Sequence, residues 1–151
     1  LTEALENGVN VTIFPEATST NGEQILYFRR PLYNAVIKSQ TPIVPLCLNY
    51  REVGKAPLNQ KNRDDVFWYG EMYFVPHLWR LASYGRIKVE LVILDKLAVN
   101  GPDVTDAQLA LTSHQMISGV FSPCPSASAE FHRPPNGGHP VPNHGRHQDG
   151  F

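Results

Sequence analysis

"IVPLCL", residues Ile43 to Leu48, is an unbroken apolar run followed by Asn49. A strand with one wet face alternates. An unbroken run is the pattern of a strand covered on both faces, as in a parallel sheet layered between helices. The flanking segments fit that layout. Upstream, Leu26–Lys38 places Leu26, Leu32, Val36 and Ile37 at helical spacing, with Pro31 positioned to delay the helix start. Val9–Phe14 reads as a short β-branched strand. "LTEALENG", Leu1–Gly8, reads as the last turns of a helix closed by a glycine. Downstream come a polar loop at Arg51–Asp65 and an aromatic-rich helix at Glu71–Ser83. They are followed by the strand "RIKVELVILD", Arg86–Asp95, and a helix at Thr105–Ser118. Thr105 and Gln108 stand at capping-box spacing. Three strand–helix alternations predict an α/β fold with a mainly parallel sheet flanked by helices. No internal repeat is found.

The 151 residues are 42% hydrophobic and carry a net charge of −1. That suffices for one core, and no charge excess selects nucleic acid. Two cysteines, Cys47 and Cys124, make no disulfide framework, which points to a reducing compartment. Cys47 reads as a buried thiol. No apolar stretch reaches the roughly 18 residues of a membrane span. From Pro123 to Phe151 the composition changes: 29 residues hold six prolines and four histidines, and neither Leu nor Ile. Such a stretch offers too little apolar surface to offset its ordering entropy. The division predicted is a folded unit over 1–121 and a Pro/Gly/His-rich disordered tail over 122–151.

In a parallel sheet, ligands bind just beyond the carboxyl ends of the strands. The segment "FPEATSTNG", Phe14–Gly22, falls there, directly after Val9–Phe14. It gathers one carboxylate, Glu16, with the hydroxyls of Thr18, Ser19 and Thr20 ahead of an Asn-Gly turn. Such a loop can line a polar site or hold a phosphate. It can equally be a capped turn in which Glu16 accepts backbone N–H bonds. The aromatic stretch Phe67, Trp68, Tyr69, Tyr73, Phe74 and Trp79, with Arg80 beside it, divides between packing on the sheet and a lipid interface. His77 and His114 fall on helices, and His77 reads as a packed residue. In the tail, His139, His144 and His147 match no standard zinc spacing, and no metal site is expected.

"FPEATSTNG" resembles the Phe-Pro-Glu-Gly-Thr block of the PlsC-like glycerolipid acyltransferases. "YFRRPLYNAVIKSQTPIVPLCLNY", Tyr27–Tyr50, is similar to that family's following helix and Pro-containing strand, Thr41-Pro42-Ile43-Val44-Pro45 included. "VFWYGEMYFVPHLWRLAS", Val66–Ser83, resembles its Trp-Tyr-Gly segment. The three blocks, in order, cover roughly residues 1–120. The resemblance implies a partial glycerolipid acyltransferase fold. It also implies transfer of an acyl group from acyl-CoA or acyl carrier protein, as co-substrate and without other cofactor, to a lysophospholipid hydroxyl, with lysophosphatidic acid the default acceptor. The partners implied are that acceptor, the acyl donor and the cytoplasmic face of a membrane.

Carried over by position, the resemblance assigns Glu16 and Thr18, with Ser19 and Arg29, to acceptor binding, and Pro42, Val44 and Pro45 to the acyl channel. The family's general base is a His in an Asn-His-x4-Asp block upstream of the Glu-containing block. The chain is therefore expected to be a C-terminal part that lacks it and is inactive alone. "NHGRHQD", Asn143–Asp149, matches the pattern through His144 and Asp149. Its place in the tail marks it as a chance match. Ala17 stands where the family has glycine, at a position suited to positive φ, which alanine tolerates poorly. Ala17 and the missing base also leave open a non-catalytic, lipid-binding remnant.

Overall fold

The run beginning at Ile43 becomes a strand, but a longer one. In the computed structural model, which describes residues 1–101 and 104–124, β1 spans Leu46–Val53. Ile43 forms a separate antiparallel bridge with Leu97, closed by N–H···O bonds of 3.1 and 2.8 Å. Pro45, which has no N–H to donate, separates bridge from strand. Past Leu48 the strand continues to Gly54, whose φ of 61° turns the chain into β2, Ala56–Pro57. A 3-10 turn at Arg63–Asp65 and helix α3, Phe74–Ser83, follow. The chain then returns to its starting point: Gly54 N–H donates to Arg86 O at 2.8 Å. From there β3, Ile87–Ile93, runs back along β1.

The sheet is thus β2-β1-β3, with every pairing antiparallel. The expected mainly parallel sheet is corrected to a small mixed α/β arrangement on an antiparallel sheet. Two local facts cause the difference. The excursion from Gly54 to Arg86 starts and ends at the same end of β1, so the helix inside it does not act as a parallel crossover. Val9–Phe14 joins no sheet among the described residues. Its β-branched residues suit a pleated, half-buried surface, but Val9 and Phe14 lie exposed in irregular chain.

The register explains the apolar run. Leu46 faces Ile93, Leu48 faces Leu91 and Tyr50 faces Val89, and successive side chains alternate between faces. Cys47, Asn49 and Val53 point to the buried side, while Leu46, Leu48, Val89, Leu91 and Ile93 form an exposed apolar face. Both faces are made for covering; the described residues cover one and meet the other only where Leu48 and Tyr50 approach the loop around Gly22 and Phe67.

The helices follow the sequence more closely. α1, Thr2–Glu6, ends at Gly8, φ 74°, with Val9 N–H bonded to Ala4 O at 2.9 Å and Gly8 N–H to Leu5 O at 3.0 Å. These are the two bonds of a Schellman close. The helix predicted from Leu26 starts later. A 3-10 turn at Arg30–Tyr33, with Pro31 in its first turn, leads into α2, Asn34–Ser39. α4, Asp106–Ser118, is capped by Thr105, whose Oγ1 accepts from Gln108 N–H at 3.2 Å. Tyr33, Val99, Leu109 and Ala110 form a core between the 3-10 turn and α4, ringed by Phe28, Leu32, Val36 and Ile43. The Tyr33 hydroxyl lies 2.7 Å from Ser113 Oγ inside it, and burial pushes the phenol up. No helix among the described residues is long and apolar enough to cross a membrane.

Candidate functional site

The loop after Phe14 is built by short-range bonds. Ala17 N–H donates to Phe14 O at 3.1 Å, closing a turn around Pro15 and Glu16. Ala17 itself takes φ 56°, the left-handed region that costs an alanine about 1–2 kcal/mol. The glycine-type conformation is therefore kept without the glycine. Ala17→Gly is expected to stabilise the chain by about 0.5–1 kcal/mol, the strain relief less the extra chain entropy of glycine. Urea denaturation of the two chains measures it, and an unchanged or lowered midpoint counts against strain at this position.

From Thr20 onward the loop turns inward. Gly22 N–H bonds Thr20 Oγ1 at 3.3 Å and Glu23 N–H bonds Asn21 Oδ1 at 3.1 Å. Asn21 here acts as a turn-forming side chain that satisfies the backbone two residues on. Gly22 is buried with φ 76°, its Cα against the ring of Phe67. That ring packs edge-on to Tyr50 at 5.4 Å. Arg63 clamps the next residue by pairing with Glu23. The bond from Arg63, and then that from Asn21, hold the Glu23 carboxyl below its ordinary range.

The result is a cleft between loop and sheet. Glu16 and Thr20 stand in its lining with Gln24 and Ser122, and the apolar part is Ile25, Leu48, Tyr50, Leu58, Phe67 and Phe121. Glu16 Oε2 accepts the Leu26 N–H at 2.7 Å. This bond fixes the carboxylate and leaves its other oxygen free of protein bonds among the described residues. Arg29 is tied to the same turn, its N–H bonded to Pro15 O at 2.8 Å. It is exposed and makes no ion pair among the described residues. Cys124 closes the far side, its N–H on Gly22 O at 2.8 Å. Burial pushes its thiol up, so Cys124 is a packed residue rather than a thiolate nucleophile.

The structure brings only some of the sequence-selected residues together. Glu16 lines the cleft and Arg29 adjoins its turn. Thr18 and Ser19 are exposed on the outer part of the loop, outside the lining. Of the acyl-channel residues, Pro45 is buried with its carbonyl on Leu94 N–H at 3.0 Å, and Val44 is exposed. Pro42 lines a separate depression with Gln40, Lys96 and Asn100. His144 and Asp149 lie outside the described residues. His77 is buried, and His114 packs against Tyr27 and Phe28 at ring distances of 5.9 and 5.1 Å. Among the described residues neither histidine bonds a carboxylate.

Sequence reasoning missed Asn49. It is 1% exposed, with Nδ2 on Val120 O at 3.0 Å and Oδ1 accepting Ser122 N–H at 2.8 Å. It thereby anchors the segment that closes the cleft. The signal was one amide at the end of an apolar run, since a buried polar group needs partners. That segment, Ser122–Cys124, lies beyond the boundary that composition placed at 121.

The cleft thus pairs a fixed carboxylate and a hydroxyl with an apolar floor, inside a loop that keeps a glycine-type turn. Comparison with known proteins agrees with the motif. Residues 1–49, loop included, match the family model described as Acyltransferase. The first third of the chain is thus similar to the acyltransferase family. Among curated proteins, the chain is 30% identical over 94 residues to a lyso-ornithine lipid O-acyltransferase of Rhizobium meliloti (strain 1021), covering 58% of this chain and 32% of that one. It is 29% identical over 117 residues to the lyso-ornithine lipid O-acyltransferase of Pseudomonas aeruginosa, covering 78% and 42%. To the 1-acyl-sn-glycerol-3-phosphate acyltransferase of Neisseria gonorrhoeae it is 27% identical over 90 residues, covering 59% and 32%. The match spans from about a third to under half of these relatives' lengths. No solved structure matches the chain.

Proposed function

We propose that the cleft under Glu16 holds the polar head of a lysolipid acceptor, in an acyltransferase that moves an acyl group from acyl-CoA or acyl carrier protein to the acceptor's hydroxyl. The observation that carries this is the fixed Glu16 carboxylate in a cleft that is otherwise largely apolar. A lysolipid has the matching two-part chemistry, a polar head with hydroxyls and amide or phosphate groups on a hydrocarbon chain. The free Glu16 oxygen accepts from a head-group hydroxyl or ammonium, and the Thr20 hydroxyl lies in the same lining. Arg29, without an ion pair among the described residues, complements a phosphate, as guanidinium groups do. Leu48, Tyr50 and Phe67 supply the apolar side. Both head groups named for the relatives, lyso-ornithine and 1-acylglycerol-3-phosphate, fit this division, and the site is read as facing the cytoplasmic side of a membrane. The family's general base acts from its own His–Asp pair. Among the described residues no such pair stands by the cleft, so the 151-residue chain is read as an acceptor-binding part.

Titration calorimetry with short-chain lysophosphatidic acid and lyso-ornithine lipid tests the assignment. Binding of both is expected. Glu16→Gln should weaken it about tenfold, the worth of one charge-assisted hydrogen bond. Arg29→Ala should weaken the phosphate ligand more than the ornithine one. Equal binding by Glu16→Gln and the parent chain overturns the cleft assignment. With acyl-CoA added, product should form no faster than without the chain. Turnover that His144→Ala abolishes would place a working base in the tail.

A further inference from the structure

Among the described residues β1 pairs with one side of β3, and no strand lies along the other. Leu94 N–H bonds Pro45 O at 3.0 Å, and Arg86 O accepts the Gly54 N–H at 2.8 Å. At both ends of β3 it is thus the even-numbered residues that turn their backbone groups toward β1. Those groups alternate along an antiparallel ladder, so Ile87, Val89, Leu91 and Ile93 direct theirs outward. Proteins guard such an edge with proline, bulges, short strands or charges. β3 has seven residues and no proline, and the irregularity of the pair falls on β1, between Tyr50 and Glu52. Its guard is charge, at Lys88 and Glu90. Both bond β1: Lys88 Nζ lies 3.0 Å from Glu52 Oε1, and Glu90 pairs with Arg51. Their side chains stay 61% and 52% exposed, which leaves each room for a second partner across the edge. The far edge of the sheet is different. β2 is only the two residues Ala56–Pro57, and Pro57 has no N–H to offer.

We propose that the outer edge of β3 receives a second copy of the chain, paired antiparallel with Val89 on the two-fold axis. In this register Lys88 stands opposite Glu90 of the second copy, and Glu90 opposite Lys88 of the second copy. The row Arg51, Glu90, Lys88, Glu52 then alternates in sign across the seam, twice by symmetry. Opposite charges facing each other across strands stabilise, and like charges destabilise. The neighbouring symmetric registers fail on that ground. Centring on Glu90 opposes two carboxylates, and centring on Lys88 opposes two ammonium groups. Centring on Leu91 sets Glu90 against Val92 and pairs no charges. In the chosen register the like charges lie only on diagonals, at about 7–8 Å. Arg86 falls beside Val92 of the second copy and keeps its own Glu52. The edge is therefore complementary to itself, which selects a second copy over an unrelated strand. Association closes at two, because β2 is too short and too poor in donors to continue the ladder. This reading rests on β3 and its charges alone and is independent of the cleft assignment.

Analytical ultracentrifugation of the 151-residue chain at rising concentration is expected to show a reversible monomer–dimer equilibrium that weakens with salt. Lys88→Glu and Glu90→Lys, each checked for folding by circular dichroism, should each raise the dissociation constant about tenfold. Mixed together, the two variants should dimerise again, since each charge of one then faces its opposite on the other. Leu46→Glu, on the open sheet face but away from the edge, should leave the dimer intact. Val89→Cys should cross-link to itself under mild oxidation, because the axis brings its two copies within disulfide reach, and Leu91→Cys should not. This cross-link reads the register even where a charge variant fails to fold. A chain that stays monomeric up to its solubility limit overturns the proposal. So does growth past two, a mixture no more dimeric than its parts, or a cross-link at position 91 rather than 89. A dimer lost in Leu46→Glu but kept in Lys88→Glu also overturns it, in favour of packing through the apolar face.

Discussion

Gly22→Ala is expected to destabilise the chain by about 3 kcal/mol and to open the cleft. Two costs add. The residue sits at φ 76°, where a side chain costs about 1–2 kcal/mol. Its new Cβ would also land inside the Phe67 ring, and overpacking of this kind costs about 1–3 kcal/mol. Phe67 cannot swing aside freely, because it packs on Tyr50, which lines the same cleft. The displacement therefore reaches the floor of the proposed acceptor site. Chemical denaturation reads the stability and calorimetry reads lysolipid binding. Phe67→Leu in the same chain should restore part of the loss, the part due to overlap, and leave the part due to φ. A Gly22→Ala chain of parent stability would show that this turn is not held against the sheet.

Asn49→Leu carries the second large effect. Leucine matches the apolar run that surrounds the position, and propensity alone would favour it in a strand. It removes the partners of Val120 C=O and Ser122 N–H at once. A fully buried group left without a bond costs about 1–3 kcal/mol; these two are part-buried, so a loss of about 2 kcal/mol is expected. The local consequence is sharper than the global one. Val120–Cys124 should detach from the sheet, and the buried Cys124 thiol should become reactive under native conditions. Labelling with a thiol reagent, mapped by mass spectrometry, checks this. Protection of Cys124 equal to the parent's would show that Asn49 does not hold the segment.

How much of this was legible in the sequence depends on how local the cause is. Gly8 closes α1, Pro31 delays the next helix and Thr105 caps α4, because each acts within a few residues of itself. The direction of the strands was not local. Ile43–Leu48 and Arg86–Asp95 were found as strands, but their antiparallel pairing is set by Gly54, which sends the chain away and receives it back at Arg86. A strand–helix–strand pattern does not reveal that excursion. Val9–Phe14 shows the same limit from the other side, since a strand needs a neighbour as well as β-branched residues. At the site, Glu16 was visible because a charge beside an apolar segment stands out. Thr20 was visible with the other loop hydroxyls, but Phe67 and Phe121 were not seen as cleft residues, because their place in it comes from contacts between distant segments. The glycine-type turn at Ala17 was visible only through the family resemblance.

The open face of Leu46, Leu48, Val89, Leu91 and Ile93 has a consequence for how the chain behaves as a substance. Contiguous apolar surface in water drives sheets together, and here it lies on a strand pair whose β3 edge is unpaired among the described residues. Colloidal stability, before catalysis or binding, is then the first property to respond to concentration, salt and detergent. A charge placed at Leu91 acts on that property, and it also stands opposite Leu48, which lines the cleft. Solubility and the cleft are in this way written on one shared face of the same small sheet, where Leu48 belongs to both.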